Sequence, residues 1–337
     1  MDVLFKQVRG YSGTDVWTDT LSSSLQKHGV ASQVSYFPSY VGYIPYLAKL
    51  LDKSRDSSSI VHGNTWNAFA FKDSNPMVAT EHHVVHDSKF EPYKTLAQKM
   101  YHKIIYQYES KSLEMADCVI CVSEYTKDRL EQVFEYSDAQ VIYNGVDEET
   151  FQPQYITREF FCKRFGIPDN KTILLFVGNP TNRKGADLLP KIMRQLDDSF
   201  ILIMTSGLRG NEIDTRNIKS IGRLPVQDLV NLYTLSDIFL FPTRLEGFGL
   251  VVAEAMACEK PVVSTNCSAI PELVHHDKGG FLCDMDNVKQ FVTSVQYLSD
   301  DIIERERMGH YNRCQIINNF SLNIMTKRYI QLYSKLA

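Results

Sequence analysis

Short apolar runs alternate with helical patterns along the whole chain. Val3–Val8 reads as a strand; the loop Gly10-Tyr11-Ser12-Gly13-Thr14-Asp15 follows, then a helix from about Val16 to Lys27, closed by Gly29. Further strands are predicted at Gln33–Phe37, Ser59–His62, Met77–Glu81, Asp117–Val122 and Gln140–Tyr143, separated by long helical patterns, notably Pro92–Ala116. Beyond Phe151 the scheme repeats, with strands predicted at Lys171–Val177, Phe200–Thr205, Ile218–Ile221, Ile238–Phe241 and Pro261–Ser264. The tail from Ile303 to Leu336 reads as helical throughout. Strands alternating with helices imply a parallel sheet covered on both faces. The expected fold class is α/β, with two Rossmann-like parallel-sheet domains facing across a cleft, where the carboxyl ends of strands offer ligand sites. The expected division is residues 1–150, residues 151–315, and a C-terminal helix over residues 316–337 that packs back on the first domain.

One position breaks the pattern. From Gly249 to Cys258 every residue except Glu254 is small or apolar. A helix apolar nearly all round is a buried one, and a lone carboxylate in it is costly without a partner. The partner of a structural Glu would be a core Arg or Lys. Ahead of this helix runs Glu246-Gly247-Phe248-Gly249, whose backbone N–H groups would point outward at a positive helix end. Such an end can hold a phosphate, and carboxylates on either side could grip the hydroxyls of an attached sugar.

Length and charge narrow the field. A chain of 337 residues is long enough for two domains. The formal net charge is −4: residues 1–150 hold 14 Lys/Arg against 20 Asp/Glu, and residues 151–337 hold 22 against 20. No strongly basic stripe points to nucleic acid. No run of 18 apolar residues spans a membrane, and the N-terminus is too charged for a secretory signal. The seven scattered cysteines read as reduced, buried thiols, which suits a cytoplasmic location. Cys118 and Cys121 share one apparent strand, where an odd separation puts them on opposite faces and argues against a redox pair.

Three other loops carry candidate chemistry. Gly178-Asn179-Pro180-Thr181-Asn182-Arg183-Lys184-Gly185 follows a strand, and its adjacent cations suit a diphosphate, although a solvated turn would look the same. Gly10–Gly13 is either a ligand loop or a tight turn. His82, His83 and His86 crowd the segment after Met77–Glu81. One local cluster lacks zinc spacing, so no metal is expected. A histidine at a strand's carboxyl end could instead hydrogen-bond a substrate hydroxyl.

Together these segments resemble the retaining glycosyltransferases of family 4, with the GT-B fold. Glu246 and Glu254, seven residues between them, resemble that family's EX7E signature. Gly10–Gly13 is similar to its N-terminal glycine loop, Ala116–Thr126 to its segment of Ala-Asp, strand and Val-Ser, and Tyr143–Asp147 to its Asn-Gly-Val-Asp link. Gly178–Gly185 is similar to its phosphate loop, and Pro261–Thr265 with Ile270–Glu272 to the segment after its donor helix.

The resemblance implies a nucleotide-diphosphate sugar donor, UDP- or GDP-linked, bound mainly by the second domain, and no required metal or other cofactor. Glu254 would hold the ribose hydroxyls and Glu246 those of the donor sugar. The amides of Phe248, Gly249 and Leu250, with Gly247, would face the sugar or diphosphate. Lys184 would neutralise the leaving diphosphate, Gly13 and Gly178 would let backbone approach the donor, and Arg223 would lie near the base. His82 would contact the transferring sugar, with His83 the fallback. One departure stands out: many members carry Arg where this chain has Asn179, and Arg183 would have to compensate.

The acceptor implied is a saccharide or lipid-linked hydroxyl in polysaccharide or glycolipid assembly. The aromatic run Tyr36–Tyr46, and Lys89–Lys111 with five Lys and four Tyr, suit peripheral contact with the inner face of a membrane. The alternative is an amphipathic helix whose tyrosines pack inward. Two rival functions remain open: a nucleotide-sugar 2-epimerase, and a catalytically silent sugar-nucleotide binding subunit.

Overall fold

The computed structural model describes residues 2–52, 59–205 and 217–337. The chain divides into two compact units, one formed by Met1–Gly145 with Leu322–Ala337, the other by Val146–Ser321.

The first unit carries six strands: β1 (Asp2–Val8), β2 (Ala31–Phe37), β3 (Ser59–Asn64), β4 (Met77–Glu81), β5 (Cys118–Cys121) and β6 (Gln140–Val141). All pair in parallel in the order β2-β1-β3-β4-β5-β6. On one face Trp17, Leu21 and Leu25 of the helix Gly13–Lys27 pack with Met325, Tyr329 and Tyr333 of the helix Leu322–Leu336 over Phe5, Val78 and Ile120. His62, buried in β3, sits 2.6 Å from the Tyr333 hydroxyl and 2.7 Å from that of Thr80, so both ring nitrogens are satisfied. Cys118 belongs to this cluster and Cys121 to another, with Leu113 and Leu130 on the far face. Opposite faces of one strand cannot bring two thiols together, and all seven cysteines are free.

The second unit carries β7 (Thr172–Val177), β8 (Phe200–Thr205), β9 (Ile218–Ser220), β10 (Ile238–Phe241), β11 (Val262–Thr265) and β12 (Gly280–Cys283), again all parallel, in the order β12-β11-β10-β7-β8-β9. β8, β10 and β11 are buried throughout, as expected of strands covered on both faces.

Two expectations need correction, and one strand was missed. The tail is not one helix: Ile302–Asn319 ends at Phe320, and Leu322–Leu336 begins anew in the other unit. The helix expected from Pro92 starts at Leu96, behind a capping box of Thr95 and Gln98, while Pro92 lies in a 3-10 turn over Ser88–Tyr93. β12 was not predicted, because Gly279-Gly280 reads as a turn. Among the described residues no helix is long and apolar enough to cross a membrane.

Candidate active site

In the second sheet the strand order reverses between β7 and β10, which are neighbours although two strands separate them in sequence. Loops leaving the carboxyl ends of strands at such a reversal splay to opposite sides and open a ligand crevice. Here they are Gly178–Gly185 after β7, and Pro242–Gly249 after β10, which leads into the helix Leu250–Ala257. The two loops are fastened to each other. The Arg183 carbonyl accepts from the Arg244 amide at 2.8 Å and from the Thr243 hydroxyl at 3.3 Å. The buried Arg244 guanidinium holds Asp187 at 2.6 and 2.9 Å and Asp286 at 2.7 Å, and also donates to the Asn182 carbonyl. Gly185, at φ +70°, leaves no room for a side chain: a Cβ there would lie 1.9 Å from the Pro242 carbonyl oxygen.

This fastening brings most of the expected residues together. Lys184 folds back on its own loop, so that a Cβ on Gly178 would meet its Nζ at 2.6 Å. Its ammonium also lies 5.5 Å from the centre of the Phe241 ring. Burial lowers the Lys184 pKa, and the fields of Glu246 and Glu254 oppose that shift. Both carboxylates of the expected signature favour the charged form of Lys184.

Arg183 approaches Glu246 Oε1 at 3.1 Å and donates to the Leu245 carbonyl. The Glu246 amide donates to Ser268 Oγ at 2.9 Å. Arg183 thus clasps Glu246, a different use from the phosphate contact that the departure at Asn179 asked of it. Asn179 is half-buried directly after Gly178, and its carbonyl accepts from the Thr181 amide at 2.9 Å.

Glu254 has a partner, and it is neither Arg nor Lys. Tyr233 Oη donates to its Oε2 at 2.8 Å. Burial raises the Glu254 pKa to about 7, a rise restrained by the Tyr233 hydrogen bond and by Lys184. Tyr233 lies in the helix Val226–Leu235, among residues that pattern only as core. Nothing in its local sequence marked it. The one hint was the demand that a buried carboxylate be paired.

Gly249 caps the helix at φ +103° and Leu250 is its first residue; Gly247 and Phe248 are buried, the Phe248 ring 5.9 Å from that of Phe320. Arg223 is exposed beyond β9 and forms no ion pair among the described residues.

Two expected residues lie in the first unit. Gly13 is the first residue of the helix Gly13–Lys27, and the preceding turn is closed by Asp15, which accepts from the amides of Tyr11 at 2.7 Å and Gly10 at 3.2 Å. His82 follows β4 and packs edge-on against Trp17, ring centres 4.6 Å apart. Burial lowers its pKa to about 4, so it is a neutral hydrogen-bonding group at neutral pH. Its two neighbours go elsewhere: His83 packs on Phe90, and His86 Nε2 lies 2.7 Å from Glu109 Oε2. Glu109 and Glu81 are both fully buried. Burial first, then the neighbouring carboxyl, holds Glu81 well above the usual range, and burial lifts Glu109 to about 8.

The chain is similar to known glycosyltransferases. Residues 157–315 match the family model described as glycosyl transferases group 1, and residues 14–150 match that of glycosyltransferase family 4. A GDP-mannose-dependent phosphatidylinositol monomannoside mannosyltransferase of Corynebacterium glutamicum is 31% identical over 63% of this chain and 60% of its own length. The matches span about three fifths of the length of such curated relatives. Among solved structures, a sucrose-phosphate synthase from Thermosynechococcus elongatus superposes with a TM-score of 0.81 at 18% identity, covering 99% of both chains. HepE of Anabaena, solved with UDP, does so with a TM-score of 0.78 at 17% identity over the whole of both. These two likenesses establish the GT-B fold. With both units matched by their models, the chain belongs to the glycosyltransferases of family 4.

Proposed function

We propose that this protein transfers a glycosyl residue from a nucleoside-diphosphate sugar to an acceptor hydroxyl, with retention at the anomeric carbon and without a metal. The observation that carries the reading is the cluster at the reversal of the second sheet, where Lys184 folds against Gly178, Arg183 lies 3.1 Å from Glu246 and Tyr233 holds Glu254. In the reaction the bond from anomeric carbon to diphosphate oxygen breaks, a bond to the acceptor oxygen forms on the same face, and the acceptor hydroxyl's proton passes to the departing diphosphate oxygen. Charge develops on the departing diphosphate, where the ammonium of half-buried Lys184 opposes it. Gly178 gives the diphosphate close access to that ammonium, and the helix opening at Gly249 and Leu250 adds its positive end. Glu254 accepts from the ribose hydroxyls, with Tyr233 holding it in place. Glu246 accepts from hydroxyls of the donor sugar, oriented by Arg183. His82, neutral on Trp17, hydrogen-bonds the moving sugar, Arg223 stands beside the base, and the Gly13 loop admits the donor to the first unit.

A relative that uses GDP-mannose and a structural neighbour solved with UDP keep both bases in view. The acceptor is a saccharide or lipid-linked hydroxyl, and free cysteines suit a reducing, cytoplasmic setting. Contact with a membrane face is supported by exposed Tyr40, Tyr43, Ile44 and Tyr46, and by Leu96, Met100 and Ile104 on the helix Leu96–Met115. The tyrosines of that helix do pack inward: Tyr101 donates to the Gly42 carbonyl and Tyr108 to that of Tyr43. The family models and the mannosyltransferase relative favour a transferase over the epimerase alternative.

The test is thermal stabilisation by UDP, GDP, ADP and dTDP, with Glu254→Ala as control. A nucleotide at about 100 times its dissociation constant adds roughly 2.7 kcal/mol to native-state stability. One nucleotide should stabilise the protein, and the variant should lose most of that shift. A full shift retained in Glu254→Ala would remove the ribose assignment. Release of the nucleotide diphosphate in steady turnover separates a transferase from a silent binding subunit.

A further inference from the structure

Beside His82 the first unit buries two carboxyl groups, Glu81 at the carboxyl end of β4 and Glu109 in the helix Leu96–Met115, 1% and 0% exposed. Among the described residues neither is ion-paired with Lys or Arg. The basic side chain in reach is His86, whose Nε2 lies 2.7 Å from Glu109 Oε2. Glu81 accepts from the Thr65 hydroxyl at 2.7 Å and from the His83 amide at 2.8 Å, and so joins the loop after β3 to the segment after β4.

The remaining contact is between the two carboxyls themselves. The Trp66 side chain also bears on Glu109, but no hydrogen bond of ordinary geometry reaches its enclosed Oε1. Two ionised carboxylates in one dry site repel strongly, and a buried acceptor without a donor is costly. Both demands are met when Glu81 is a neutral acid whose O–H donates to Glu109 Oε1. The other titratable groups around the pair agree. Burial pushes the Cys121 thiol of β5 upward and keeps His86 and His102 neutral at neutral pH, while the Lys94 ammonium is held by Glu91 at 2.7 Å.

We propose that Glu81 is a positioning residue: as a neutral acid it ties the segment over residues 82–86 to Thr65 and to Glu109, and so fixes His82 against Trp17. The segment is held before His82 by Glu81 itself, and after it at His83 by Glu81 and at His86 by Glu109. The consequence for catalysis rests on the role proposed for His82, whereas the consequence for its position does not.

The experiment therefore reads position alone, without donor or acceptor. In the full chain carrying Trp66→Phe, Trp17 is the one tryptophan left. A protonated imidazole quenches an indole beside it, so acid titration of Trp17 emission reports His82, and His82→Asn is the control that removes the step. Burial lowers His82 to about 4, while His62, the other imidazole against Trp17, lies lower still at about 3. The midpoint should stay in place in Glu81→Gln, whose amide donates and accepts as the neutral acid does. In Glu81→Ala it should climb towards the ordinary value of about 6.5 as His82 gains water. Far-UV circular dichroism followed in parallel separates quenching from unfolding. At pH 7, carbethoxylation of His82 by diethyl pyrocarbonate, read by peptide mass spectrometry, makes the same comparison without acid: slow in the parent and in Glu81→Gln, faster in Glu81→Ala. Midpoint and rate both unmoved in Glu81→Ala would show that Glu81 serves the fold alone. Glu81→Gln behaving like Glu81→Ala would show that it acts as a charged group. Either result overturns the proposal and leaves the reading of the donor site untouched.

Discussion

A carboxyl group that ionises near neutrality turns the ribose assignment into a pH experiment. Burial raises Glu254 to about 7, and on the proposed reading it grips the ribose hydroxyls as the carboxylate, so donor affinity should rise as pH climbs through that value. The Tyr233 hydrogen bond favours the ionised form. Its removal in Tyr233→Phe should therefore move the midpoint of the affinity profile upward. Comparing the two proteins cancels the titration of the nucleotide's own phosphate, and coincident profiles would sink the idea. Glu246→Gln should act differently, lowering turnover about a hundredfold or more while the nucleotide diphosphate still binds, as single-turnover and equilibrium measurements would distinguish. The acidic pair itself was legible in the sequence, because a lone Glu in an apolar helix violates the usual cost of burying charge. Tyr233 and the clasp of Arg183 on Glu246 were not, since both are contacts between segments distant in the chain.

At the scale of elements, the site depends on two loops being locked together rather than on either alone. Gly185→Ala would drive a methyl group into the Pro242 carbonyl at a left-handed backbone position. It should cost about 2 kcal/mol or more, read as a lowered urea midpoint in far-UV circular dichroism. It should weaken nucleotide binding as well, because Arg183 and Lys184 ride on the same loop. An unchanged midpoint would mean that the loops part easily. The buried strands could be read from the chain because a run such as Ile238–Phe241 is apolar without interruption. The break at Phe320-Ser321 could not. It is made by pairing with Val146, whose amide donates to the Phe320 carbonyl at 2.9 Å and whose strand-like bridge reaches Ser321. Periodicity records local faces and is blind to a partner 175 residues away.

On the scale of the molecule, both tryptophans, Trp17 and Trp66, lie in the first unit, so their fluorescence follows that unit alone. Tyr333→Phe should leave the buried His62 Nδ1 without its hydroxyl, costing about 1–3 kcal/mol. The loss should appear in the tryptophan transition, whereas Gly185→Ala should leave that signal in place. The chain leaves the first unit at Gly145 and re-enters it at Leu322, with the whole second unit threaded between. That arrangement governs the order of events on the ribosome. Met325, Tyr329 and Tyr333 are made after the second unit, yet Trp17, Leu21 and Leu25, made before it, need them as cover. At ~5–20 residues per second, the nascent first sheet waits roughly 10–35 s with an apolar face open while the second unit emerges and folds. Anything that stalls translation before Leu322 should therefore leave the first sheet uncovered, and that face is where a chaperone would bind.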